Sequence, residues 1–341
     1  MVLFMEPNVK VACCRGNDRI HNLRSALAHL EQPFAEVNNY ILVKPNFLSI
    51  RNKEASTNIM TLETILQFIR ERYSGEIVLA EGAHCANEWF QSAEIKRLQL
   101  TYRLKCFCID TDETRWQERN LEATDETVRI SQTVADSDFR ISLAIPKTHM
   151  NSGLSLSLKN MMGTVHPEDR GLFHGFTRDT LGQSKRKIHE QDSRIGEWFA
   201  KLVSLRNVAA SRLSKVKPDD EVLQAMRLLN RNFSKLGSIV PPHLSIIDGF
   251  EAMEGDGPWH GGIIPFHTCI ASAHYLAADL TAASLMGFKS DFLFYQQYLD
   301  MPLRQFNLRN IQLLGNMTWD NAYRFKIPSN LKTYEHSFYL S

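Results

Sequence analysis

No C-x-x-C pair occurs among the six cysteines, which fall at Cys13, Cys14, Cys85, Cys106, Cys108 and Cys269. That spacing offers no thiolate set for zinc or an iron-sulfur cluster, so no cluster is expected, and the thiols read as small buried hydrophobes in a reducing compartment. Net charge is also nearly missing: 39 Lys and Arg stand against 38 Asp and Glu. Such a balance gives neither nucleic acid nor an anionic membrane a field to follow, so anion binding has to be local. Long apolar runs are absent too. The stretch from Met1 to Cys14 is interrupted by Glu6 and Asn8, too short for a signal core or a spanning helix, and a cytoplasmic location is expected. Neither G-x-x-x-x-G-K nor G-x-G-x-x-G is found, which excludes a Walker loop and a dinucleotide fingerprint.

What the sequence does contain is an apolar fraction of 43%, ample for a core, and 341 residues, more than one small domain needs. Short β-rich runs alternate with helical periods through the first 145 residues, the pattern of crossover units feeding a mainly parallel sheet flanked by helices. Strands are expected at Val9 to Cys14, Tyr40 to Val43, Ile77 to Ala80, Cys106 to Ile109 and Phe139 to Ala144, and again at His243 to Ile247 and Phe266 to Ala271. Leu62, Ile65, Leu66, Ile69 and Tyr73 recur at helical spacing behind Thr61, read as an N-cap. From 180 to 236 the texture turns to charged helix, with Pro218 opening a stripe of Val222, Met226, Leu229, Phe233 and Leu236. The basic run Lys185-Arg186-Lys187 there reads as a solvated face. The expected organisation is therefore an α/β core of residues 1–179 and 237–315, a helical insertion at 180–236 and a packed tail at 316–341. Within the second part of the core, a small-residue helix spans Tyr275 to Met286, the spacing of Phe292, Phe294, Tyr295 and Tyr298 is helical, and an edge strand falls near Ile311 to Leu314.

Three polar clusters follow directly after expected strands, and in open parallel sheets ligands bind beyond the carboxyl ends of the strands. Lys44-Pro45-Asn46 offers an ammonium and an amide to a carboxylate or phosphate, with Pro45 stiffening the exit. Glu81 and His84, after the third strand, are able to join the same crevice. Lys147-Thr148-His149 begins the densest cluster: Asn151 or Ser152 is suited to cap a helix whose free N–H groups face an anion, with Lys159 and Asn160 two turns on. The alternation of Ser155 and Ser157 leaves a strand open as the other reading. His149 titrates near neutrality by its residue type. The third cluster runs from Asp248 to Gly262, where five glycines let the backbone approach a ligand and Asp248, Glu254 and Asp256 supply carboxylates.

The chemistry these residues suit is acid-base work on a small anionic metabolite. Lys147, His149, Lys159 and Asp248 are the candidate catalytic groups, and Lys44, Asn46, Thr148, Asn160 and Gly257 the candidate substrate-binding ones. Two further histidine motifs, His166-Pro167-Glu168-Asp169-Arg170 and Phe173-His174-Gly175, have no recognised metal spacing. The cofactor is left open: a divalent metal with His149, His174 and Asp256 as its ligands is one option, with redox chemistry at that metal as a sub-case. A non-catalytic ligand-binding protein or partner subunit using the same crevice is the alternative. The expected partner is a small anion, with neither nucleic acid nor membrane, and a homo-oligomer is open.

Taken together, the strand-exit Lys44-Pro45-Asn46, Ser56-Thr57-Asn58, Glu81-Gly82, and Pro146-Lys147-Thr148-His149 leading to Leu158-Lys159-Asn160-Met161-Met162-Gly163 resemble the DUF362 family, whose name records an unassigned function. Lys187 to His189, Asp248-Gly249, Gly255-Asp256-Gly257-Pro258 and the Asp279 helix extend the resemblance from about Tyr40 to Gly287. Two departures stand out. Many relatives carry an iron-sulfur segment with repeated C-x-x-C, absent here, so the resemblance implies no electron transfer through a cluster. Relatives also tend to show Ser-Thr-Asp-Pro where this chain has Ser272-Ala273-His274-Tyr275, so that any cap or metal role of that Asp is not expected of His274 in unchanged form.

Overall fold

The computed structural model describes residues 8–30, 34, 36–50, 53–83, 86–111, 115–121, 126–173 and 218–340. His84, Cys85, His174, Lys185 to His189 and the first part of the expected helical insertion, through residue 217, lie outside the described residues.

The strands are β1 (Val9–Arg15), β2 (Tyr40–Lys44), β3 (Glu76–Glu81), β4 (Leu104–Cys108), β5 (Trp116–Leu121), β6 (Glu126–Ser131), β7 (Phe139–Ala144), β8 (Lys147–His149), β9 (Gly153–Ser155), β10 (Leu244–Glu254), β11 (Gly262–Ser272) and β12 (Ile311–Gly315). The helices of nine residues or more among the described residues are α1 (Arg19–Leu27), α2 (Ile59–Arg70), α3 (Ala93–Tyr102), α4 (Pro218–Ile239) and α5 (Tyr275–Leu285). The main sheet runs β12-β1-β11-β10-β7-β2-β3-β4. It is mixed and mostly parallel: β4, β3, β2, β7 and β10 pair parallel in turn, and β12 pairs parallel with β1, whereas β11 lies antiparallel to both its neighbours. β5 and β6 form a separate antiparallel pair that the sequence pattern does not announce.

Strand side chains alternate between two cores, as a sheet covered on both faces requires. Ile41 and Val43 of β2 join Leu23, Leu62, Ile65 and Leu98 from α1, α2 and α3 on one face. Leu42, from the same strand, joins Leu236 of α4 and Leu276 and Leu280 of α5 on the other. The small residues of α5 let it sink completely: every residue from Tyr275 to Leu285 is buried. Among the described residues no helix is long and apolar enough to cross a membrane.

Several expected boundaries move for identifiable reasons. The cap of α2 is Asn58, whose side chain accepts from Met60 N at 2.9 Å, and Thr61 lies one turn inside the helix with its hydroxyl turned elsewhere. Asn151 and Ser152 cap no helix; they form the turn between β8 and β9, and helix begins only with the single turn Ser157–Asn160. The glycine-rich stretch after Asp248 is not one long turn. β10 continues to Glu254 through a register shift between Gly249 and Glu251 and pairs with β11, because a bulge absorbs the extra residue without ending the ladder. Ser290–Phe292 and Phe294–Tyr298 are 3-10 turns and not one α-helix. Pro218 opens α4 and Met226, Leu229, Phe233 and Leu236 are buried along it. The C-terminal stretch buries Phe325, Ile327, Leu331, Phe338 and Tyr339 in the α5-side core.

Candidate functional site

Successive crossovers carry the chain outward from β2 to β3 and β4, and it then returns to place β7 on the opposite side of β2. The gap between the carboxyl ends of β2 and β7 is thus the point where strand order reverses, the place at which such sheets open a crevice. Lys44 ends β2, and Lys147 follows β7 by three residues.

The two lysines are joined across this gap by side-chain amides. Lys147 Nζ donates to Asn46 Oδ1 and to the Ala55 carbonyl, each at 2.6 Å. Asn46 Nδ2 donates to Asn160 Oδ1 at 3.1 Å, and Lys44 Nζ donates to the same oxygen at 3.2 Å. Asn160 in turn donates to the Lys44 carbonyl and to Ser142 Oγ. Lys44 is paired with Glu81 at 2.6 Å, and both are 1% exposed. The Glu81 carboxylate also accepts from Phe47 N and Gly82 N. Gly163 lies directly against this pair: a Cβ there would stand 2.5 Å from Glu81 Oε1 and 2.7 Å from Lys44 Cε. Only glycine fits so close an approach.

Charge in this cluster is unbalanced. Lys147 feels the charges of Lys159 and Lys44, Glu81 acts on both Lys44 and Lys147, and Asp110 and Arg170 reach Lys44 as well. Burial, reinforced by the Lys159 and Lys44 charges, lowers the Lys147 amine to about 7, with Glu81 opposing. Burial lowers Lys159 to about 8; its ammonium sits 5.4 Å from the centre of the Phe233 ring and has no carboxylate partner among the described residues. Lys44 is also lowered by burial, with Glu81 holding it up. An amine poised near neutrality in a lysine-rich pocket is suited to give or take a proton beside an anion.

The single helical turn that carries Lys159 and Asn160 is held from beneath. Asp279 of α5 accepts from Ser157 N at 2.8 Å, Leu158 N at 3.1 Å and the Tyr295 hydroxyl at 2.8 Å. Complete burial lifts this carboxyl to about 6, against the pull of its three donors. His274 caps α5, its Nδ1 accepting from Ala277 N at 3.2 Å, so an imidazole performs the cap that the Ser-Thr-Asp-Pro comparison did not lead one to expect of it.

The other candidates are placed differently. His149 is buried with Nδ1 accepting from Asn151 N at 3.0 Å and Ser152 N at 3.3 Å, which makes it the organiser of the β8–β9 turn. Thr148 donates its hydroxyl to the Gly255 carbonyl, so its side chain ties β8 to the β10–β11 connection. Gly257 packs on the same segment: a Cβ would stand 2.1 Å from the Thr148 carbonyl oxygen. Asp256 accepts from Ser329 N at 2.6 Å and so fastens the C-terminal stretch. Among the described residues no group of three or more His, Cys, Asp or Glu side chains is placed to hold a metal ion, and Asp256 and His149 serve the separate contacts just given.

Asp248 does line a cavity, of about 170 Å³, together with Arg19, Lys53, Ser56, Asn58 and Ile145. Its carboxylate accepts from Thr61 Oγ1 at 2.6 Å and Phe250 N at 3.2 Å and stands 3.7 Å from Arg19 Nε. Arg19 pairs with Glu251 at 2.7 Å and lies 5.0 Å from the Phe250 ring centre. Arg19 and Glu251 escaped the sequence reading. Arg19 follows β1 as Lys44 follows β2, so the same strand-exit argument applied to the first strand points to it. Glu251 had no such signal, because the bulge that sets its direction is invisible in the sequence.

Fold and site define an α/β protein whose mostly parallel sheet is flanked by helices and carries a buried lysine cluster at the reversal of strand order. The chain belongs to the DUF362 family, a domain of unknown function, whose pattern it matches over residues 41–284. No curated protein matches it. Among solved structures it is similar to the lactate racemase apoprotein of Thermoanaerobacterium thermosaccharolyticum, at 10% identity and a TM-score of 0.46, over 88% of this chain and 60% of that one. It is also similar to a Thermotoga maritima protein at 14% identity and a TM-score of 0.34, over 71% and 52% of the two chains. This chain thus spans less than two thirds of either structure.

Proposed function

We propose that this DUF362 protein is an enzyme acting on a small metabolite that carries a carboxylate or phosphate, bound where β2 and β7 end, beside Asp248 of β10. The observation that carries the reading is the clustering of Lys44, Lys147 and Lys159 at that point, of which, among the described residues, only Lys44 has a carboxylate at bonding distance, Glu81, with the Lys147 amine lowered to about 7. Lys147 is the proton-transfer group, Lys44 and Lys159 supply charge, Asn46 and Asn160 fix the lysines, and Asp248 orients the ligand from the cavity. His149 and Thr148 shape the strand turn that delivers Lys147. A non-catalytic binding protein is the second reading, and the sealing of Lys147, with two acceptors already on its ammonium and 1% exposure, favours it.

The test is a thermal-shift screen of small carboxylates and inorganic phosphate, followed by NMR of each stabilising compound incubated with the protein. The enzyme reading expects at least one compound to raise Tm, to be chemically altered on incubation, and to lose both effects in Lys147→Met. A compound that binds and is recovered unchanged supports the second reading. No stabilisation by any of them, or an undiminished shift in Lys147→Met, overturns both.

A further inference from the structure

The cavity beside the lysine cluster has a chemistry of its own. Its volume of about 170 Å³ corresponds to roughly six waters at about 30 Å³ each, too little for a nucleotide and enough for a small metabolite. None of the three site lysines lines it. Lys147 is bonded to the carbonyl of Ala55, the residue between the lining Glu54 and Ser56, and the lining charges are instead two cations, Arg19 and Lys53, and three carboxylates, Glu54, Asp248 and Glu251. A purely anionic ligand meets a lining with one more carboxylate than cation. A ligand that carries charge of both signs meets a partner for each.

The polar groups are also incompletely matched to one another. Arg19 Nε is buried without a hydrogen-bond acceptor, since Asp248 Oδ2, at 3.7 Å, is beyond bonding distance. A buried donor left in that state is costly and is relieved by an incoming acceptor. The 12-residue helix α2 begins at this wall, with Ser56 and Asn58 among the lining residues, and its positive end adds to the charge of Arg19 and of Lys53, whose ammonium stands 3.5 Å from Glu94 outside the lining. Asp248 and Glu251 flank Arg19 itself, at 3.7 Å and 2.7 Å, so acidic and basic groups stand side by side as the two charges of a zwitterion do, and Ile145 supplies a short apolar surface.

From this arrangement we propose that the cavity binds a small α-amino acid as its zwitterion, the carboxylate directed to Arg19, Lys53 and the start of α2, and the ammonium to Asp248 and Glu251. This rests on the reading above that the protein takes a small carboxylate or phosphate, narrows it to a carboxylate that also carries an amine, and seats that ligand against Arg19 beside the lysine cluster. A short, uncharged side chain fits against Ile145.

Isothermal titration of the full chain with L-alanine and L-serine, each beside its deaminated counterpart, propionate and 3-hydroxypropionate, tests the proposal, with inorganic phosphate as a further probe. At least one amino acid is expected to bind tenfold or more tightly than its counterpart. Glu251→Gln, at a half-exposed position that leaves the core intact, is expected to weaken amino-acid binding about tenfold without weakening propionate. Asp248→Asn is expected to act in the same direction. Propionate binding as tightly as alanine, or amino-acid binding indifferent to both substitutions, overturns the zwitterion assignment. If only propionate or phosphate binds, and does so through Lys147, the broader reading stands and this one falls; if nothing binds, both fall.

Discussion

Lys147 concentrates the physical tension of the site in one side chain. Its amine is held near 7 in the folded protein and near 10.4 in an unfolded chain. Between those pH values the unfolded state binds more protons, so this residue makes stability rise with pH across the window; below about 7 its full penalty is felt, and above about 10.4 it has none. Replacing it by Met is expected to remove that slope. Urea unfolding at pH 7, 8 and 9 should show the variant gaining on the parent by up to about 1.4 kcal/mol per pH unit as pH falls. Parallel curves would mean that Lys147 titrates as an ordinary surface amine. At this scale the sequence is informative where position does the work: Lys44, Asn46, Lys147 and Asn160 stand out because they follow strands or cluster after one, and the structure brings them together. His149 has a structural task that the sequence does not show: its Nδ1 accepts the turn amides of Asn151 and Ser152, a contact to which an imidazole in a polar loop gives no clue.

The elements around the site are held by a few buried polar contacts, and the turn Ser157–Asn160 depends on one. Asp279→Ala leaves two backbone N–H groups and the Tyr295 hydroxyl without their acceptor, at about 1 to 3 kcal/mol for each buried group. A loss of roughly 3 kcal/mol or more is expected in urea unfolding, together with faster hydrogen exchange at Ser157 and Leu158. Asp279→Asn, which keeps an acceptor, should lose less than the alanine variant; equal losses would mean that these bonds do not hold the turn. Strand and helix cores were legible because apolar alternation and the 3.6 period are local signals. The β8–β9 and β10–β11 hairpins were not. β8 is only three residues long, and β10 beyond Asp248 is a polar, glycine-bearing segment that becomes strand through its pairing with β11.

The whole molecule closes through its C-terminal stretch, which lies beyond the residues that match the family. β12 pairs with β1, and after it Phe325, Ile327, Leu331, Phe338 and Tyr339 enter the core shared with α5. At about 1.5 to 3 kcal/mol for each fully buried large apolar side chain, these five contribute on the order of 10 kcal/mol, comparable to the net stability of a typical domain. A chain ending at Gly315 is expected to lose cooperative unfolding, read as a broadened urea transition with dye binding to exposed apolar surface; a sharp transition at the parent midpoint would refute this. The tail's aromatic residues have no period to read, since they pack in 3-10 turns and single contacts. Its burial was accordingly less legible than that of α5, whose small-residue run is evident in the sequence.

Lys147 also acts as a staple. By bonding Asn46 and Ala55 at once it closes the intervening segment into a loop whose ends are fixed by a residue from elsewhere in the chain. Loop closure grows costlier only slowly with length, about 0.6 kcal/mol for a doubling. Insertions between Phe47 and Glu54 are therefore cheap for the fold, yet they change Lys53 and Glu54 on the cavity wall. The geometry separates a fixed anchor from an adjustable rim, so that the lining can change in length and charge while the strand ends stay where they are.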